Sequence, residues 1–168
     1  LKVITEVLSI EQIPIVAEYA DVLQVGSRNM FNYELLKELG KIKKPILLKR
    51  GFMATFHEFL LSAEYLASSG NSNIIFCERG IRTFETQTRN TLDLSIVPLL
   101  QSETKLPVVV DISHAAGRTD ILNKLARASL AVGANGIMVE VHPDPKSALS
   151  DPLQQLDFHQ FSNLVNQL

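Results

Sequence analysis

The chain has 168 residues, 46% of them apolar and 20% charged, with a formal net charge of −2. That is globular composition, enough for one sizeable core, and it excludes a disordered, collagen-like or disulfide-stapled chain. The near-neutral balance gives no global attraction to nucleic acid or membrane, no apolar run reaches the roughly 18–20 residues of a membrane span, and the single cysteine, Cys77, permits no internal disulfide, which fits a reducing, cytoplasmic compartment. The opening run Leu1-Lys2-Val3-Ile4-Thr5 is strand-like, with no initiator methionine and no signal-peptide core, which points to a portion of a longer chain.

In chain order, short β-branched runs at 3–7, 21–25, 45–49, 73–77, 107–111 and 136–141 predict strands. They are apolar on both faces rather than alternating, the pattern of a parallel sheet covered by helices. Helical patterns fill the spacers at 10–19 and 32–39, the latter ending at Gly40. Thr55-Phe56-His57-Glu58 reads as a capping box opening a helix whose apolar face is Phe56, Phe59, Leu60, Ala63 and Ala67, with Gly70 as its stop. The segment 119–133 repeats the logic with Ile121, Leu122, Leu125, Ala128 and Val132, and 158–168 closes the chain as a helix. Six βα units predict either a doubly wound sheet or most of a (β/α)8 barrel. No Gly-rich dinucleotide fingerprint follows any strand, and a full barrel takes about 250 residues. The expectation is therefore an α/β fold, a single-domain partial (β/α)8 barrel over 1–168 that lacks two units.

The strand ends are polar, and chemistry in parallel α/β folds collects there. Gly26-Ser27-Arg28-Asn29, Lys49-Arg50-Gly51, Cys77-Glu78-Arg79-Gly80 with Arg82, Asp111-Ile112-Ser113-His114 and Glu140-Val141-His142 close successive runs. A lone arginine at such a place is usually solvated or paired. Arg28, Lys49 and Arg79 at three strand ends predict a site for a phosphorylated or carboxylated small molecule. His114, Glu140 and Asp151 form a second set, suited either to a divalent metal such as Mn, Fe, Co or Zn or to a general acid/base histidine with unrelated loop carboxylates. His142 and Asp144 either orient those ligands or simply shape the turn at Pro143-Asp144-Pro145. Cys77 reads as buried and structural, His57 and His159 as surface residues, and Met30, Met53 and Met138 as packing.

These motifs resemble the catalytic barrel of the 3-deoxy-D-arabino-heptulosonate 7-phosphate (DAHP) synthases, in the subfamily related to the 3-deoxy-octulosonate 8-phosphate synthases. The resemblance is carried by Leu23-Gln24-Val25-Gly26-Ser27-Arg28-Asn29, Leu47-Leu48-Lys49-Arg50-Gly51, Cys77 through Glu85, Asp111-Ile112-Ser113-His114-Ala115-Ala116-Gly117-Arg118, Met138 through Pro145, and Ala148-Leu149-Ser150-Asp151. It covers essentially the whole chain, and Arg82-Thr83-Phe84-Glu85 with Ser113-His114 and Gly117-Arg118 favours the heptulosonate branch. The resemblance implies condensation of phosphoenolpyruvate with erythrose 4-phosphate, the first step of the shikimate route to aromatic amino acids. It implies that Arg28, Lys49 and Arg79 hold phosphoenolpyruvate beside the Gly26-Ser27 backbone, with Arg82, Asp111 and His142 completing the substrate-binding set. His114, Glu140 and Asp151 become three of four metal ligands, His114 also taking part in catalysis, and Lys49 and Glu78 become candidates for activating water. A homo-oligomer, dimer or tetramer, is the implied assembly.

The sequence departs from the family pattern in places. Ile112 and Ala115 stand where prolines are usual, and Phe52-Met53 replaces Met-Gly or Met-Ser. The family's Gly-Pro-Cys-Ser, source of the fourth ligand, and Lys-Pro-Arg-Thr-Ser, a substrate-phosphate site, have no counterpart here. The match therefore begins at the third barrel strand, and the expectation is that these 168 residues alone are inactive. An octulosonate-branch synthase using arabinose 5-phosphate and a non-catalytic, ligand-binding barrel are the competing readings.

Overall fold

The computed structural model describes all 168 residues. They fall into two compact units, one of residues 1–77 and 99–108, the other of residues 78–98 and 109–168. Strands and helices alternate along the chain, and the strands within each unit pair in parallel.

In the first unit β1 (Ile4–Glu6), β2 (Val22–Val25), β3 (Ile46–Lys49) and β4 (Ile74–Glu78) pair in that order. β3 is buried along its whole length, as a strand covered on both faces requires. β1 departs from that expectation: Ile4, Thr5 and Glu6 are all exposed, because β1 has a partner on one side only. The expected helix at 10–19 begins as a 3₁₀ turn, Ile10–Gln12, and continues as α1 (Ile13–Tyr19), whose Pro14 sits in the first turn where its missing N–H leaves no gap.

α2 (Tyr33–Leu39) is capped by Asn32, whose side chain accepts from the Leu35 N–H, and buries Leu35, Leu36 and Leu39. Gly40 ends it for a reason of space: its φ is −61°, but a Cβ there would lie 2.4 Å from Ser69 Cβ and 2.7 Å from the Leu66 carbonyl oxygen. α3 (Phe56–Ser68) starts on the expected Thr55–Glu58 capping box. Gly70 supplies its stop at φ +116°, a conformation side chains disfavour. Phe59 of α3 meets Phe76 of β4 edge to face at 4.9 Å, and neither ring is exposed.

α4 (Ile96–Glu103) has no counterpart in the sequence reading, since Pro98 in its first turn reads as a break. In the second unit β5 (Val108–Asp111) pairs with β6 (Gly136–Met138), and α5 (Ile112–Ala116) follows β5 with no intervening residue. Gly117, at φ +68°, terminates α5. α6 (Leu122–Ala131) buries Leu122, Ala126 and Ser129. Its buried stripe is therefore rotated from the expected one: Ile121, Leu125 and Ala128 are half-buried, and Val132 is 37% exposed. The buried Ser129 hydroxyl is satisfied by the Leu125 carbonyl at 2.7 Å. α7 (Phe158–Asn166) opens on an Asp157–Gln160 capping box.

Cys77 and Met30 are fully buried, as expected. Met53 is 77% exposed, so it does not pack as its apolar character suggested. No helix is long and apolar enough to cross a membrane.

Candidate active site

The site in the second unit begins at the β5–α5 junction. Asp111 is at once the last residue of β5 and the N-cap of α5, with no side-chain exposure. One of its oxygens, Oδ1, accepts from the His114 backbone N–H at 3.0 Å. The other, Oδ2, lies 2.8 Å from His114 Nδ1, outside hydrogen-bond alignment. One carboxylate therefore fixes His114 through its main chain and lies against its ring, and the opposite nitrogen, Nε2, faces Glu140 Oε1 at 3.7 Å.

Glu140 follows β6. Its backbone N–H donates to the buried Ser113 hydroxyl at 3.0 Å, and its carbonyl accepts from the Leu156 N–H at 2.9 Å. Asp151 lies beyond a 3₁₀ turn at Pro145–Ser147, and it alone among non-glycine residues has a positive φ, 50°. Donor atoms of His114, Glu140 and Asp151 lie within 4.8 Å of one another. An imidazole nitrogen and two carboxylate oxygens gathered at that spacing form a donor set that fits a borderline or hard divalent cation.

Three more residues bind this set together, and the sequence reading gave them no role. Arg89 donates from Nη1 to Asp151 Oδ1 at 2.9 Å and to Gln154 Oε1 at 2.9 Å. Gln154 Nε2 donates to Glu140 Oε2. Asn90 Nδ2 donates to the His114 carbonyl at 2.9 Å. Arg89 stands 62 residues from Asp151, and no spacing rule joins positions that far apart. An open cavity of about 450 Å³ borders the cluster, lined among others by Thr86, Gln87, Arg89, Gly117, Asp151 and Gln154.

His142 is held by backbone pairing with Leu156, and its Nδ1 accepts from the Asp144 N–H at 3.1 Å, so that pair shapes its own turn. Glu78 is buried, with Oε1 accepting from the Gly80 N–H at 2.6 Å and the Asp93 N–H at 3.4 Å. Arg79 beside it is 2% exposed. Arg82 and Phe84 lie on an exposed loop beyond the Ile81–Thr91 bridge, Phe84 at 97% exposure. Glu85 staples that loop: the backbone N–H groups of Gln87 and Thr86 hold its carboxyl below the usual carboxylate range.

The remaining expected residues belong to the first unit. Gly26 is the position where β2 turns into the Ser27–Asn29 3₁₀ turn, and a Cβ there would collide with the Glu6 carboxylate at 1.9 Å. Arg28 is exposed, its guanidinium 5.4 Å from the centre of the Phe52 ring. Lys49 ends β3, 6% exposed, in register with Cys77. Phe52, read only as a departure, is thus a partner of a candidate binding arginine.

Compared with known proteins, residues 1–168 match the DAHP synthetase I family. A phospho-2-dehydro-3-deoxyheptonate aldolase from Thermotoga maritima is 58% identical over 166 residues, covering 99% of this chain and 49% of that protein. A 2-dehydro-3-deoxyphosphooctonate aldolase from Magnetococcus marinus is 30% identical over 178 residues, covering 99% of this chain and 61% of the relative. The chain thus spans about half the length of the first of these relatives and under two thirds of the second. The crystal structure of the Thermotoga aldolase superposes with a TM-score of 0.97 at 58% identity, over 99% of this chain and 49% of that one. A truncated form of the Thermotoga 3-deoxy-D-arabino-heptulosonate 7-phosphate synthase gives the same score over 64% of its length. The fold expected from sequence, strands three to eight of a (β/α)8 barrel, agrees with that likeness.

Proposed function

The chain belongs to the DAHP synthetase I family, and from that we propose that the protein carrying it condenses phosphoenolpyruvate with erythrose 4-phosphate to give DAHP and phosphate. The observation that carries the reading is the gathering of His114, Glu140 and Asp151 donor atoms within 4.8 Å, at the positions the family motifs assign to ligands. The deeper likeness to the heptonate than to the octonate aldolases supports the four-carbon sugar phosphate as acceptor.

In this reading Arg28, Lys49 and Arg79 neutralise the phosphate and carboxylate of phosphoenolpyruvate, with the Gly26-Ser27 backbone alongside. Holding C3 against the aldehyde carbon converts a bimolecular encounter into a positioned one. A divalent ion (Mn, Fe, Co or Zn) held by His114, Glu140, Asp151 and a cysteine outside these residues would polarise the aldehyde oxygen as a Lewis acid. C3 attacks that carbon, water adds at C2 where positive charge develops, and phosphate departs by C–O cleavage. Lys49 and Glu78 handle the proton that the water gives up. Glu78 suits this role because two backbone N–H groups fix its orientation. Asp111 serves the site through His114, and Arg82 and His142 lie at its edges as further substrate contacts. A cytoplasmic homo-oligomer completes the proposal.

Purified full-length protein should consume phosphoenolpyruvate only when erythrose 4-phosphate is present, lose that activity to EDTA and regain it with a divalent ion. Preference for arabinose 5-phosphate would transfer the protein to the octulosonate branch. Tight phosphoenolpyruvate binding with no turnover of either sugar would leave a ligand-binding barrel.

A further inference from the structure

We propose that Arg89 and Gln154 are positioning residues that set the affinity and geometry of the ion site at His114, Glu140 and Asp151; this rests on reading that cluster as a metal centre. Both carboxylates of the cluster are held by one oxygen only in this network. Arg89 engages Asp151 Oδ1, and Gln154 engages Glu140 Oε2, while Glu140 Oε1 faces His114 Nε2 at 3.7 Å. An oxygen tied outward fixes the rotation of its carboxylate, so the other oxygen is presented inward before an ion arrives.

The chemistry of the link requires these residue types. Gln154 is 2% exposed, and both ends of its amide are used. A guanidinium only donates and a carboxylate only accepts, so the group between them must accept on one side and donate on the other, as a neutral amide does. A glutamate at 154 would set a third negative charge against Glu140, and an apolar residue would free the Glu140 carboxylate and take from Arg89 its second acceptor. Arg89 also supplies positive charge to a group of acids that otherwise repel, and its Nη1 alone reaches both Asp151 and Gln154.

Arg89 is itself anchored to the element that carries the histidine. Its backbone N–H donates to the Ala116 carbonyl at 3.0 Å, and the Asn90 N–H to the Ala115 carbonyl at 2.8 Å. Gly117 allows this approach, since a Cβ there would fall 2.6 Å from Arg89 Cβ. Asn90 Nδ2 closes the circuit on the His114 carbonyl. The segment at residues 89–90 therefore ties all three ligands to one backbone reference, α5.

The test uses the full-length protein stripped of metal, with Mn²⁺ alone titrated by calorimetry and the visible spectrum of the Co²⁺-loaded form recorded. Gln154→Met and Arg89→Lys are compared with the unaltered protein. The expected result is Mn²⁺ binding weakened by roughly 10- to 100-fold in both variants, with a changed Co²⁺ ligand-field spectrum. A purely structural role would lower the melting temperature while leaving Mn²⁺ affinity and the Co²⁺ spectrum as they were, and that result overturns the inference. Arg89→Lys keeps charge and bulk, so it decides the matter if Gln154→Met does not fold. Failure of the unaltered protein to bind either ion overturns the metal reading itself, and this inference with it.

Discussion

His114, Glu140 and Asp151 were legible because each follows a recognisable strand or turn, and strand ends are where a parallel fold places its chemistry. Arg89, Gln154 and Phe52 were not, because their meaning lies in partners rather than in local pattern. Arg28 shows the difference. Its type and place were readable, but the ring that steadies it comes from the loop after β3, 5.4 Å from its guanidinium. An exposed cation over a ring is worth about 0.5–1 kcal/mol. Phe52→Leu is therefore expected to raise the KM for phosphoenolpyruvate about two- to five-fold with kcat unchanged, and steady-state kinetics would show it. Lys49→Met, by contrast, is expected to lower kcat itself by about 10²- to 10⁴-fold if Lys49 takes part in proton transfer. A change confined to KM would reduce Lys49 to a binding group.

Elements with chemical punctuation at their ends were readable, and those without it were not. Thr55 and Glu58 announce α3, and both arms of the capping box are present. Thr55→Ala is expected to cost about 0.5–2 kcal/mol, measured by denaturant unfolding. The backbone N–H of Thr55, and then its hydroxyl, hold the Glu58 carboxyl below its ordinary value of 4.5. A lowered carboxylate contributes stability that is present above that ordinary value and is lost as the pH falls through the folded one. Glu58→Gln keeps a capping side chain but cannot titrate. Its melting temperature should track the parent's at neutral pH and fall less on acidification; identical acid profiles would remove Glu58 from the account. α4 and α5 escaped notice for opposite reasons. α4 has a proline in its first turn that reads as a break, while α5 is so short and so close to β5 that its residues read as the strand's polar end.

At the scale of the whole chain, the repeat of apolar runs and helical spacers was enough to specify the fold class, and the TM-score of 0.97 against the Thermotoga structure agrees. Burial of individual strands was less readable, because it depends on neighbours: β3 is flanked on both sides and fully buried, and β1 is flanked on one and exposed. Core packing in the first unit centres on Phe59 against Phe76. Removing the ring in Phe59→Ala is expected to destabilise the protein by about 3–5 kcal/mol, read from the unfolding midpoint. Cys77 offers a probe of the same core. With no exposure, its thiol should resist a disulfide reagent in the native protein and react once denaturant is added; rapid native reaction would mean that the core around β4 opens readily.

Asp111 and Ile112 belong to different elements and yet are consecutive, so nothing between β5 and α5 can absorb a change in length. A single residue inserted there would turn His114 by about 100° around the helix axis and carry the imidazole away from Glu140. An insertion in the exposed loop at residues 82–87 would leave that joint, and the aim of His114, unchanged. Sequence drift by insertion and deletion is thus open to the rim of this molecule and closed at the joint that aims its histidine.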